Sequence, residues 1–141
     1  MGIAATIEEA SRTKLHVPKL CFVSPAQSYT VSDGKPVRAD DLDITARILS
    51  MGLLHHAMTG TGAVAIAVAA AIAGTVVHRT LKAGADASRT VFGHPSGILA
   101  VGADAEEREG QWVVTKAVMS RSARRIMEGW VRVPDTATAG A

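Results

Sequence analysis

A chain of 141 residues is one domain at most, with room for a real core. Hydrophobic residues make up 48% of it but aromatic ones only 4%, so that core is aliphatic and alanine-rich. Fifteen basic against thirteen acidic side chains leave +2, too balanced for an electrostatic nucleic-acid footprint even with a sequence pI near 9.0. The single cysteine, Cys21, excludes an internal disulfide framework and fits a reducing compartment, so we expect a cytoplasmic protein. No basic stretch followed by an apolar one opens the chain, which predicts no secretion signal.

Residues 3–10, Ile3-Ala4-Ala5-Thr6-Ile7-Glu8-Glu9-Ala10, have the apolar spacing of an amphipathic helix. No capping residue precedes Ile3, so residues 1–17 read as the remnant of a longer helical element. Residues 19–23 form a short apolar run between Pro18 and Pro25 and read as a buried strand. Cys21 lies inside it and reads as a packed, inert thiol. Residues 24–40 are polar and carry Pro25, Gly34 and Pro36, which predicts a loop with a tight turn at Ser32-Asp33-Gly34-Lys35. Residues 42–48 alternate apolar and polar, the period of a half-buried strand. A helix over 39–49 would also gather Leu42, Ala46 and Leu49 on one face; the strand is the preferred reading. Ser50-Met51-Gly52 then breaks the pattern.

The chain is organised around His55-His56-Ala57-Met58-Thr59-Gly60-Thr61-Gly62-Ala63 and the apolar residues 64–77 behind it. This reads as a sharp turn through small residues into a helix. Gly60 and Gly62 permit positive backbone angles and close approach, and Thr59 or Thr61 is placed to cap the first free amides. The helix is nearly all Ala, Val and Ile, so we expect protein to cover it on most sides. Unpaired amides, a partial positive charge and no bulky side chains suit a small anion such as a carboxylate. A close-packed helix start without a ligand fits the same pattern. Residues 60–77 carry no charge, near the lower limit for a membrane span. Their abundance of Ala and Gly, the absence of Leu and the missing aromatic belt make a buried helix the better reading. His55 and His56 are adjacent and point to opposite sides, so they do not form a metal pair. One of them is placed to donate to the anion, or simply to bond backbone at the turn.

Residues 81–89 form a Gly, Ala and Ser linker with two basic side chains. Strands are predicted over 89–92, 98–103 and 112–119, and a final half-covered one over 124–133. Gly93-His94-Pro95-Ser96-Gly97 joins the first two as a turn. Residues 105–110 read as a solvated loop containing Glu106, Glu107, Arg108 and Glu109. Ser120-Arg121-Ser122-Ala123-Arg124-Arg125 is a basic cluster, either an exposed face or a meeting point for a carboxylate. Residues 135–141 are small and polar and read as a disordered tail. The fold class that follows is α+β, a curved and mostly antiparallel sheet wrapped around one central buried helix.

Several segments together resemble a known family. They are Ile48-Leu49-Ser50-Met51-Gly52, His55-His56-Ala57-Met58, Phe92-Gly93-His94-Pro95-Ser96-Gly97, and residues 116–124 continuing through Glu128-Gly129-Trp130-Val131-Arg132-Val133-Pro134. In this order they are similar to the 2-methylaconitate cis-trans isomerases and 4-oxalomesaconate tautomerases, over roughly residues 18–134. The resemblance implies one half of a diaminopimelate-epimerase-like fold, whose two halves close on a ligand. Thr59 stands where the epimerases carry a second catalytic cysteine, so this half supplies no thiol acid or base. Gly60, Thr61 and Gly62 are implied to hold a substrate carboxylate, with Thr59, His55, Ser96 and Arg121 as further candidates. The chain matches only the C-terminal half of a family at least twice as long, and the lysine and cysteine of proton transfer belong to the other half. Neither Cys21 nor Lys14, Lys19, Lys35, Lys82 or Lys116 takes those roles, and the catalytic residues stay unassigned. The resemblance implies no metal or organic cofactor, and a small tricarboxylate or dicarboxylate as ligand. It also implies a homodimer or a complex with an N-terminal half. The competing expectation is a non-catalytic orphan half-domain that self-associates or binds a carboxylate.

Overall fold

The computed structural model describes residues 2–133. One mixed sheet runs in the order β1 (Leu20–Ser24), β4 (Ile44–Ser50), β6 (Arg89–His94), β7 (Gly97–Arg108), β8 (Gln111–Met119), and the short β5 (Leu53–Leu54) pairs β4 beyond β6. Every pairing is antiparallel except β4 with β6, where Ile44 faces Phe92 and Thr45 faces Gly93. A parallel pair needs a long crossover. Here it is made by α2 (Gly60–Ala71) and α3 (Val76–Thr80).

Residues 44, 46 and 48 of β4 share a face with Phe92, Val101 and Ala103, because side chains alternate across a strand. That face buries Ile44, Ala46, Phe92, Val101 and Ala103 against Ala63, Ile66 and Ala67 of α2. Small residues on both sides let helix and sheet approach closely, which is why an almost aromatic-free chain still closes a core. The opposite face is covered by a second cluster, Val31, Val37 and Leu42 with Tyr29 and Val91. Asp43, nearly buried, extends the parallel pairing: its N–H donates to Val91 O at 2.7 Å and its Oδ2 accepts from Val91 N at 2.7 Å.

Several sequence expectations change. The N-terminal helix is α1 (Ile7–Thr13), capped by Thr6, and buries no residue. A cap was present three residues inside the predicted start. The strand around Cys21 is an edge strand, with Leu20 and Phe22 exposed, because β1 has a neighbour on one side only. The loop over 24–40 contains a small hairpin, β2 (Tyr29–Thr30) with β3 (Pro36–Val37), whose turn uses Gly34 at φ +87°. Residues 44–50 are the strand and not the helix. After them Met51 and Gly52, both with positive φ, make a two-residue turn into β5. The single long helix is instead two. It ends at the cap Ile72, and the chain bends through Gly74 at φ +81° before Thr75 starts α3. As expected, α2 is covered on most sides: Ala63, Ile66, Ala67 and Ala70 are buried, and among its residues only Thr61 and Ala65 are exposed.

The predicted loop over 105–110 is the tip of a long β7–β8 hairpin, turned by Glu109 and Gly110, both with positive φ. Cross-strand pairing overrode the acidic, loop-like composition. The final strand over 124–133 does not form; residues 120–133 are exposed and irregular, and Ile126, Met127 and Trp130 are among the most exposed apolar side chains. The alternation is real, but a strand needs a partner, and these residues pair with neither free edge of the sheet, β1 or β8. The predicted tail over 135–141 lies outside the described residues. Among those residues no helix is long and apolar enough to cross a membrane.

Candidate carboxylate-binding site

The start of α2 is built by three small residues with separate tasks. Thr59 is extended and is the N-cap: its Oγ1 accepts from Gly62 N at 3.2 Å, and its carbonyl accepts from Ala63 N at 2.8 Å. Gly62 is required by packing. A Cβ there would lie 2.5 Å from Ile48 Cδ1 and 2.6 Å from Thr59 Oγ1. Neither Gly60 nor Gly62 adopts a positive φ, so the strained backbone expected from the sequence is absent. Bareness matters here, not backbone freedom.

At Gly60 the neighbour is different. The Arg121 guanidinium packs over it, with Nη1 3.3 Å and Nη2 3.5 Å from where a Cβ would stand. Arg121 makes no ion pair among the described residues. The N–H groups of Gly60 and Thr61 have no acceptor there either, as the first turn of a helix leaves its amides unpaired. Two free amides on the positive end of a dipole, with a forked cation beside Gly60, are groups whose chemistry suits an anion.

The other sequence candidates lie on the connection before α2, on the β6–β7 corner and on α2 itself. His55 donates its backbone N–H to Ile48 O at 2.8 Å, and its Nδ1 bonds the carbonyl of Ala57 within the same connection. Ser96 sits on the β6–β7 corner and donates from Oγ to His56 O at 2.5 Å. Thr61 is exposed on the outer side of α2. Cys21 is solvent-accessible rather than packed, in the wall of an apolar groove of about 350 Å³ between β1, β4 and α2. Desolvation there pushes its thiol above the ordinary value, which keeps it a poor nucleophile. Three lysines face carboxylates, Lys35 on Asp33, Lys82 on Asp43 and Lys116 on Asp104.

Two residues near the site were not singled out from sequence. His94 is buried at the end of β6, and its pKa is lowered by burial and, secondarily, by Arg47. Tyr29, the only tyrosine, reaches the β6–β7 corner with its hydroxyl 2.9 Å from His94 O and 2.7 Å from Gly97 O. The motif Gly93-His94-Pro95-Ser96-Gly97 was the available signal for both.

The sequence profile of the PrpF protein family matches residues 1–134. This chain belongs to the PrpF family. It is 55% identical over 138 residues to a 2-methyl-aconitate isomerase of Cupriavidus necator, covering 97% of this chain and 34% of that protein. A 2-methyl-aconitate isomerase of Shewanella oneidensis is 56% identical over 135 residues, covering 95% and 33%. The crystal structure of a methylitaconate-delta-isomerase superposes with a TM-score of 0.75 at 34% identity, over 92% of this chain and 33% of that one. The fold is therefore diaminopimelate-epimerase-like, a curled sheet around a helix. The chain spans about a third of the length of the curated relatives it matches.

Proposed function

We propose that residues 18–134 are the C-terminal domain of a cytoplasmic isomerase acting on a tricarboxylate with a C=C bond, of the 2-methylaconitate, aconitate or oxalomesaconate type. The observation that carries this reading is the Arg121 guanidinium over Gly60, beside the free amides of Gly60 and Thr61. These groups would fix one substrate carboxylate. Thr59 and Gly62 shape the cradle, and His55 and Ser96 stand on the connection and corner beside it.

Isomerisation of such a substrate removes an allylic proton and returns it after the double bond shifts or rotates. That needs a base within hydrogen-bond reach of the carbon. Lys35, Lys82 and Lys116 face aspartates, the Cys21 thiol is held protonated, and Lys19 lines the apolar groove. On this reading the base comes from the remainder of the enzyme, and this domain binds without turning over. The exposed apolar side chains of residues 126–133 support association, either with that remainder or with a second copy. They also favour the second reading, an orphan domain that self-associates and binds a carboxylate.

In deuterated water with trans-aconitate or 2-methylaconitate, the purified chain is expected to give no deuterium uptake at carbon. Uptake would overturn the division of labour. Titration with trans-aconitate is expected to move the amide signals of Gly60 and Thr61, and stationary signals there would remove the site. Sedimentation showing only a 14.6 kDa species would count against association.

A further inference from the structure

The Ser96 hydroxyl already has a partner. It donates to His56 O at 2.5 Å, and His56 belongs to the five-residue connection, 55–59, that leads from β5 into α2. Among the described residues this is the one side-chain hydrogen bond that reaches the connection from another element. Apart from the capping bonds of Thr59 to α2, the other outside tie is backbone, His55 N to Ile48 O.

Ser96 is itself held. Its N–H donates to Nδ1 of the buried His94 at 3.3 Å. The corner is gripped from the far face of the sheet by the Tyr29 hydroxyl and by Ser32 N, which donates to Pro95 O at 3.2 Å. Tyr29 approaches because Gly93 is bare: a Cβ there would lie 2.8 Å from Tyr29 Oη. Arg47 stacks 4.8 Å from the Tyr29 ring centroid and donates to Gly93 O at 3.2 Å. A continuous hydrogen-bonded path thus runs from the β2–β3 side of the sheet to the start of α2.

We propose that Ser96 is a positioning residue for the carboxylate site, acting through His56 to hold residues 55–59. The Thr59 cap and the free amides of Gly60 and Thr61 then keep one direction before any ligand arrives. Donors fixed in advance bind more tightly because binding no longer has to order them. What is bound rests on the proposed function above; the tether does not.

The experiment compares the full chain with Ser96→Ala, Ser96→Thr and Tyr29→Phe, reading the Kd for trans-aconitate and amide hydrogen exchange at His55, Gly62 and Ala63, the hydrogen-bonded N–H groups on either side of the connection. Ser96→Ala is expected to speed exchange there and raise Kd about three- to tenfold, the loss of one ordinary hydrogen bond. Ser96→Thr is expected to restore both, and Tyr29→Phe to shift both in the same direction by less. Unchanged exchange in Ser96→Ala overturns the proposal, as does weaker binding without faster exchange, which would make Ser96 a direct ligand. If Ser96→Ala does not fold, Tyr29→Phe decides on the same two readings. A wild-type chain that does not bind trans-aconitate defeats the carboxylate reading alone, and exchange still decides the tether.

Discussion

The two helix starts of the crossover, at Thr59 and at Thr75, share one sequence grammar and differ in everything around it. In both, a threonine in extended backbone accepts from the amide three residues on, Gly62 N at 3.2 Å and His78 N at 3.1 Å. At Thr75 the hydroxyl also donates to Ala69 O, and the His78 ring bonds Ala70 O at 2.8 Å. That start is folded back on the last carbonyls of α2, which take up its threonine hydroxyl and its imidazole and carry the opposite end of a dipole. At Thr59 no carbonyl closes in, and the neighbour is a guanidinium. A cap makes a helix; only its surroundings make a site.

The largest effect that separates the two starts is expected at Gly62. Gly62→Val places methyl carbons where Ile48 and Thr59 already stand, and is expected to cost about 2–3 kcal/mol in chemical denaturation. No such penalty attends a substitution at Gly74→Asn, where nothing lies within 4 Å and Asn tolerates a positive φ.

Arg121→Met tests the surroundings without touching the cap. The guanidinium is exposed and makes no ion pair among the described residues, so stability should stay within about 0.5 kcal/mol. Binding of trans-aconitate should weaken by about 1–2 kcal/mol, below the full worth of a charge-assisted bond because water screens it. Equal loss from Arg79→Met, on α3, would erase the distinction.

Thr59→Ala and Thr75→Ala form the closest comparison. Each removes a cap bond and is expected to cost about 1 kcal/mol of stability. Only Thr59→Ala should also weaken carboxylate binding, by calorimetric titration; if both do, the effect is global.

The smallest effect concerns pH. His94 titrates below the ordinary 6.5 because burial, and then Arg47, disfavour its charged form. Below that value the unfolded chain takes up a proton before the folded one, so stability is full at neutral pH and declines on acidification. His94→Asn keeps an acceptor for Ser96 N and should flatten that part of the decline. An unchanged pH profile would place the titrating group elsewhere.

Much of the fold was legible where local and tertiary demands agree. The alternation of residues 44–48, the Gly and Pro punctuation around 93–97 and the small apolar run of α2 all found their elements. The misses share one cause. Residues 105–110 look like a loop but were drawn into a hairpin by register, and residues 124–133 look like a strand but pair with neither free edge of the sheet. Strand formation depends on a partner that period-2 patterning does not name.

By itself the sequence determined that Thr59, Gly60, Thr61 and Gly62 would start a helix, because capping and the need for small residues act over three or four positions. It also determined family membership, through motifs spread along the chain. Only the tertiary structure decided that Gly62 packs under Ile48 and that Arg121, 61 residues away in number, lies over Gly60. It alone joined Ser96 to His56, across two elements. Those contacts are set by how the sheet curls and where β8 ends, and no local pattern carries that distance.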